Sequence, residues 1–280
     1  MIPIEAISLT SAVNHWLTNT RQPRLLHIFD RACNLINERK EILSVVTPDI
    51  GNGPFNLVVK ADILFTGYLS IESAVSVSAN DITLGSLNIP TSKAKLWNAI
   101  PDWDALHSER DNISAQLTKL PITNYSSSIL QSSNSLASSL ANADLSSSLM
   151  AAKELAGLGQ GLTPSGDDFI MGALHAAWII HPAEIASVLT SGIADVAAPL
   201  TTSLSAAWLK SAGRGEAGIL WHKFFDALVA GDEIRIADSV EKILAVGETS
   251  GADALAGFVS VFSADKNSAS AHESGAKAPS

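Results

Sequence analysis

Gly161-Leu-Thr-Pro-Ser-Gly-Asp-Asp-Phe-Ile-Met-Gly172 has a second, shorter rendering in Gly247-Glu-Thr-Ser-Gly-Ala-Asp-Ala-Leu-Ala-Gly257. Closing up Pro164 aligns Gly161 with Gly247, Thr163 with Thr249, Ser165 with Ser250, Gly166 with Gly251, Asp168 with Asp253 and Gly172 with Gly257. In each copy a loop of small residues runs into an apolar, Ala- and Gly-containing segment, which reads as a loop feeding a helix N-terminus. The first N–H groups of a helix lack partners within it, and the dipole favours negative charge there, so such an end suits an anionic ligand. Two such ends in one chain point to one composite site.

The surroundings of the two copies read as helical. Phe169–Ile180 stops at His181-Pro182, Ala183–Val196 follows, and Thr201–Ala212 breaks at Gly213-Arg214-Gly215. Ile219–Ala230 ends at Gly231, Ile234–Val246 at Gly247, and Ala252–Phe262 closes the series; glycine after a helix is its usual C-terminal signal. Residues 126–148 are rich in serine, but Leu136, Leu140, Leu145 and Leu149 keep to one helical face, so a helix held by packing is expected rather than a linker. Asp102–Leu120 also has helical spacing. The residues from Ala264 to Ser280 lack large apolar side chains and read as a disordered tail.

Upstream of Pro101 the texture changes. Ile42–Val46 and Phe55–Val59 are β-branched or apolar runs flanking the turn-rich Thr47-Pro-Asp-Ile-Gly-Asn-Gly-Pro54. Ile63–Leu69, Ala74–Val77 and Ile82–Leu84 continue in the same style, and one or two helices are expected before them over Ile7–Leu17 and Leu25–Arg39. The fold class is therefore α+β. A small, mostly antiparallel β region over 1–100 precedes an all-α domain over 101–263 that carries both loops, and a disordered tail follows over 264–280.

Of the 280 residues 46% are hydrophobic and 16% charged, which is the composition of a globular protein with a large core. A formal charge of −10 without a Lys/Arg cluster argues against nucleic acid and anionic membrane surfaces as partners. The single cysteine, Cys33, excludes an internal disulfide and reads as a small core residue. Met1–Leu17 has no secretion signal and Phe169–Ile180 is too short to span a bilayer, so the expected location is cytoplasmic.

Glycines at 157, 159, 161 and 166 allow close backbone approach to a ligand, and Thr163 or Ser165 can cap the following helix. Asp167 and Asp168 fall in its first turn. There is no Gly-Lys-Ser/Thr, and the preceding segment is helical rather than a strand, so nucleotide binding is not expected. The second loop offers Thr249, Ser250, the Gly251 amide and Asp253. Candidate substrate-binding positions are accordingly Gly161, Thr163, Ser165, Gly166, Thr249, Ser250 and Gly251, with Asn52 from the turn at 49–54. Candidate catalytic positions are Asp167, Asp168, Asp253 and Arg214, a cation at a glycine-flanked helix break. The plainer reading has the acids and hydroxyls capping helices, Arg214 pairing with Glu216, and Thr201-Thr202-Ser203 acting as a cap. His222 reads as a surface or core histidine, and no zinc-type His/Cys cluster is present.

Gly159-Gln-Gly-Leu-Thr-Pro-Ser-Gly-Asp-Asp168, Thr201-Thr202 and Leu244-Ala-Val-Gly-Glu-Thr-Ser-Gly-Ala-Asp-Ala-Leu-Ala-Gly-Phe258 resemble the family of the oxamate carbamoyltransferase subunit AllH. The likeness is specific over about 155–262 and general upstream, where Gly51-Asn-Gly-Pro54 matches best. It implies a subunit of an enzyme of anaerobic purine-nitrogen breakdown that turns oxalurate and phosphate into oxamate and carbamoyl phosphate, working with two larger partner subunits. It does not say which subunit carries the catalytic residues. Both substrates are anions, so Asp167, Asp168 and Asp253 would either hold Mg²⁺, with Asp168 and Asp253 as its ligands, or accept hydrogen bonds from the carbamoyl NH₂. No other cofactor is expected. A scaffold subunit whose loops serve only packing, and an independent Mg²⁺-dependent enzyme acting on another small anionic metabolite, are the alternatives.

Overall fold

The computed structural model describes residues 1–60, 63–119 and 130–275, and the chain divides into two compact units, Met1–Ala99 and Ile100–Ser280. The first holds β1 (Ile2–Pro3), β2 (Glu5–Leu9), α1 (Ser11–Asn19), β3 (Arg24–Ile28), β4 (Ala32–Ile36), β5 (Ile42–Val46), β6 (Asn56–Lys60), β7 (Val75–Ser78), β8 (Asp81–Leu84), β9 (Leu87–Pro90) and β10 (Lys95–Leu96). One sheet has the order β10-β2-β6-β5-β4-β3 and the other β1-β9-β8-β7. Pairing is antiparallel except for β1 with β9, β10 with β2 and β5 with β6. Leu35, Leu43, Val45 and Leu57 of the larger sheet share a core with Ile82, Leu84, Leu87 and Ile89 of the smaller one and with Val13, Trp16 and Leu17 of α1. Thr10 caps α1 by accepting from the Val13 amide at 3.2 Å, and Trp16 Nε1 donates to the Glu41 carbonyl at 3.1 Å, pinning the helix to the sheet edge.

The β region is thus as the strand-rich texture implies, with three local corrections. Leu25–Arg39 is not helical but forms the β3–β4 hairpin, whose turn is closed by Phe29 N–H donating to the Ala32 carbonyl at 2.8 Å. Strand β4 is buried on both faces from Cys33 to Ile36, so the period-two alternation that would mark it is missing. Ile7–Leu17 is part strand and part helix, because Ile7–Leu9 pair within β2 before Thr10 starts α1. Over Ile63–Leu69, a 3₁₀ turn at Phe65–Gly67 replaces the expected strand and buries Phe65.

The second unit is helical throughout: α2 (Trp103–Ser108), α3 (Arg110–Leu117), α4 (Leu130–Ala141), α5 (Leu145–Leu155), α6 (Ser165–Ile180), α7 (Ala183–Ala197), α8 (Ser203–Gly213), α9 (Ile219–Ala230), α10 (Glu233–Leu244) and α11 (Ser250–Gly275). The serine-rich stretch forms α4 and the start of α5 from residue 130 onward, and residues 126–129 lie outside the described ones. Its serines are interior: Ser148 donates to Ser139 at 3.0 Å, and Ser139 to the Leu136 carbonyl at 3.1 Å. Small hydroxyls that bond locally let α4 and α5 pack closely without orphaned polar atoms. The disordered tail proposed from 264 is corrected in the same way. Helix α11 continues to Gly275, and Lys266 Nζ donates to the Ser114 carbonyl at 3.0 Å; residues 276–280 lie outside the described ones.

Helix α6 is the axis of this unit, since every residue from Gly166 to Ile180 except Met171 is buried. Beside it an aromatic cluster joins Trp103, His175, Trp221, Phe225 and Phe258, with the His175 ring edge-on to Trp221 at 5.0 Å. Among the described residues one stretch, Ala183–Leu200, is long and apolar enough to cross a membrane; its Ala186, Leu189, Ile193 and Ala197 are buried in the helical core.

Candidate functional site

The repeated phrase folds as a matched pair of helix entries. Gly166 and Gly251 occupy equivalent places: a methyl on the first would overlap the Leu155 carbonyl at the end of α5, and one on the second the Ile243 carbonyl at the end of α10. Only a residue without a side chain lets the new helix start so close to the end of the last one. The next aligned pair, Gly172 and Gly257, brings α6 and α11 into backbone contact. A methyl at Gly172 would overlap the Ala254 carbonyl, and one at Gly257 the Phe169 carbonyl, a reciprocal arrangement because Phe169 and Ala254 are themselves aligned.

One further contact fixes the direction. At the helix entries Thr163 and Ser250 join hydroxyls at 2.9 Å. Contacts at 163–250 and again at 172–257 come in the same order along both helices, so α6 and α11 run parallel with their N-termini together. Asp168 and Asp253 each lie four residues, one helical turn, before the touching glycine, and therefore face one another across the seam.

The acids differ sharply in how they are held. Asp167, 2% exposed, has both oxygens engaged: it accepts from the Gly157 amide at 2.8 Å and from the Thr201 hydroxyl. It ties the loop at 157 to the entry of α8 and neutralises its own charge by hydrogen bonding. Asp168 and Asp253 are each 6% exposed, and each has a buried Oδ2 with no protein partner. Burial raises the Asp168 carboxyl to about 8; the nearby charges of Asp253 and Asp167 add to the rise, and the hydroxyls of Ser250 and Thr163 oppose it. At neutral pH Asp168 thus carries a proton.

The remaining candidates fall into two groups. Thr163 and Ser250 line the seam, with Ser165 half-buried beside them and Gly161 exposed on the approach at φ +93°. Thr249 is exposed, its carbonyl accepting from the Asp253 amide at 2.9 Å. The amides of Gly166 and Gly251, expected to be open to an anion, are instead closed within the loops, by the Leu158 carbonyl at 2.9 Å and the Val246 carbonyl at 3.1 Å. Arg214 donates to Glu216 at 2.7 Å and to Ser211 at 3.2 Å, which realises its plainer reading as a paired cation. Asn52, in the first unit, accepts from the Ser8 hydroxyl at 2.6 Å and so fastens its own turn to β2.

Thr201 and Thr202 prove more important than a cap alone. Thr202 caps α8 and donates to the Leu162 carbonyl at 2.6 Å, while Thr201 completes the Asp167 clamp. A signal existed in the sequence: Asp167 aligns with Ala252, so the second copy does without whatever Asp167 does. Among the described residues no group of three or more His, Cys, Asp and Glu is placed to hold a metal ion. An ion at Asp168 and Asp253 would have to draw its other donors from ligand and water. Buried His175, lowered to about 3 chiefly by burial with the nearby His222 adding to it, is neutral and belongs to the aromatic core.

A family model described as oxamate carbamoyltransferase subunit AllH matches residues 155–262, the span holding both loops, α6 and the buried part of α11. A second, described as the AllH family N-terminal domain, matches residues 5–96, which covers nearly all of the β region. No solved structure matches the chain. Both units thus carry models of one family across most of the sequence, and the chain belongs to the AllH family, that of the oxamate carbamoyltransferase subunit.

Proposed function

We propose that the chain serves in a cytoplasmic, multi-subunit carbamoyltransferase that converts oxalurate and phosphate to oxamate and carbamoyl phosphate in purine-nitrogen breakdown, with the joined entries of α6 and α11 contacting the substrate. The observation that carries this reading is the pair of buried, partnerless carboxylate oxygens on Asp168 and Asp253, one from each copy of the repeated phrase. Buried polar atoms without partners are rare in proteins because each costs about 1–3 kcal/mol, and they concentrate where a ligand completes the bonding.

The charge pattern supports the same reading. Three acids beside an anionic substrate would repel it if all were ionised and exposed. Here Asp167 is fully bonded and Asp168 holds a proton, which leaves Asp253 to balance against the positive ends of two parallel helices. In the reaction a phosphate oxygen attacks the ureido carbonyl carbon, the bond from that carbon to the oxamate nitrogen breaks, and the nitrogen takes up a proton. The protonated Asp168 carboxyl is suited to deliver it near neutral pH. The hydroxyls of Thr163 and Ser250 are placed to orient the carbonyl.

A scaffold role is the second reading, favoured by the closed amides of Gly166 and Gly251. Ligand binding separates the two. The purified chain, alone and assembled with its two larger partner subunits, is heated with oxalurate, oxamate, carbamoyl phosphate or phosphate, with and without Mg²⁺. A rise in melting temperature that is lost in Asp168→Asn and Asp253→Asn supports a substrate site. The absence of any ligand effect in the assembly refutes it and leaves the scaffold.

A further inference from the structure

We infer that Asp168 and Asp253 hold one proton between them and use it to recognise a carboxamide or ureido group, the carboxyl donating to the ligand's carbonyl oxygen while the carboxylate accepts from its N–H. This deepens the proposed substrate site, on which it rests, by naming the part of the substrate that these two residues read.

Geometry carries the inference first. The parallel pairing of α6 and α11 sets the two acids at equivalent places one turn before the Gly172–Gly257 contact, facing one another. Each is nine-tenths buried with an oxygen that no protein group meets. Two ionised carboxylates so placed would repel across a dry seam, and neither could satisfy the other, since both would only accept. One proton turns the pair into a donor and an acceptor. Asp168 is the member on which burial, then the charge of Asp253, favours the proton.

The groups around the pair leave this proton in place. Asp167 on α6 is bonded to Gly157 and Thr201; Thr163 and Ser250 bring only hydroxyls; Glu248 in the second loop is exposed. No cation is among the groups that set the charge of Asp168. A donor and an acceptor side by side match the C=O and N–H of an amide, and both oxalurate and oxamate carry such groups. Phosphate offers chiefly acceptors and would face the remaining carboxylate, so it must bind elsewhere in the assembly or at the outer hydroxyls.

Infrared difference spectroscopy on the full chain in its assembly tests this, reading the C=O stretch of a protonated carboxyl. Wild type should show the band at pH 7 and lose it as pH rises past about 8, and Asp168→Asn should abolish it. Asp253→Asn removes the like charge, so its band should persist at pH 7 and titrate at lower pH than wild type. That variant stands in should Asp168→Asn fail to fold. Oxamate should shift the wild-type band and inorganic phosphate should not. No band at pH 7, a band that survives in Asp168→Asn, or a band removed by Mg²⁺ alone overturns the shared proton. A band unmoved by oxamate, although oxamate raises the melting temperature, overturns the amide assignment while sparing the substrate site. If no ligand raises the melting temperature, the site itself fails.

Discussion

Replacing Asp168 by Asn should remove a pH dependence from stability, and the sign is informative. In the native state burial raises this carboxyl to about 8, whereas in the unfolded chain it titrates near its ordinary value of 3.8. Between those limits the native protein holds a proton that the unfolded chain has released. Its contribution to stability is therefore full below about pH 4 and is lost as pH rises towards 8. The loss is about 1.4 kcal/mol per pH unit, so about 3 kcal/mol between pH 5 and pH 7. Asparagine keeps the shape and a donor but has no proton to lose, and it should gain about 3 kcal/mol on wild type across that interval. Urea unfolding of both proteins at pH 5, 6, 7 and 8 measures the difference, and contributions common to both cancel. Parallel stability profiles for the two proteins would refute the reasoning, because they would mean that Asp168 is ionised in the native state throughout. The expected gain in stability with loss of function also distinguishes a site residue from a packing residue, whose loss would only destabilise.

Four further outcomes follow from the same geometry. His175, pushed down to about 3 by burial, is neutral when folded and charged when unfolded below 6.5, so stability falls with acid by about 1.4 kcal/mol per unit; His175→Phe should abolish that loss between pH 6.5 and 4.5, read by urea unfolding. Gly172→Ala or Gly257→Ala forces a methyl into the carbonyl of the facing helix, and should cost about 3 kcal/mol or more by urea unfolding or leave the chain insoluble. Thr201→Val strips one donor from Asp167 and should cost about 1–3 kcal/mol, with the ligand-induced rise in melting temperature reduced as the loop at 157 loosens. Cys33, its thiol raised to about 12 by burial, should resist aromatic disulfide reagents at pH 8 until the protein is unfolded.

Much of the helical unit was legible because its signals are local. Ile219–Ala230 is framed by Gly218 and Gly231 and folds as α9 with those bounds, and each copy of the repeated phrase announces its own helix entry. The hairpin at Leu25–Arg39 was not legible. Its strands carry Arg, Leu and Glu, its turn at Asp30-Arg31 lacks glycine and proline, and its inner strand is buried on both sides. What decides it is pairing with β5, a contact between segments. The site divides in the same way. That Asp168 and Asp253 matter could be read from their alignment, but the sequence presents Asp167 and Asp168 as twins. Their separation into a bonded clamp and an orphaned acid depends on Thr201 and Gly157, which reach Asp167 only in the folded chain.

The parallel seam between α6 and α11 also bears on how a ligand could be oriented. A cradle assembled from two copies of one phrase presents nearly the same groups from left and right, so by itself it would accept an unsymmetrical molecule either way round. Direction must come from the places where the copies have diverged. These are Pro164, which has no counterpart in the second loop, and Asp167, whose counterpart is Ala252. Both belong to the first copy, and Asp167 is anchored to α8 through Thr201. Handedness towards the substrate therefore resides in one half of the duplication, and restoring the symmetry there, for example by Asp167→Ala, should blur which end of the ligand enters first.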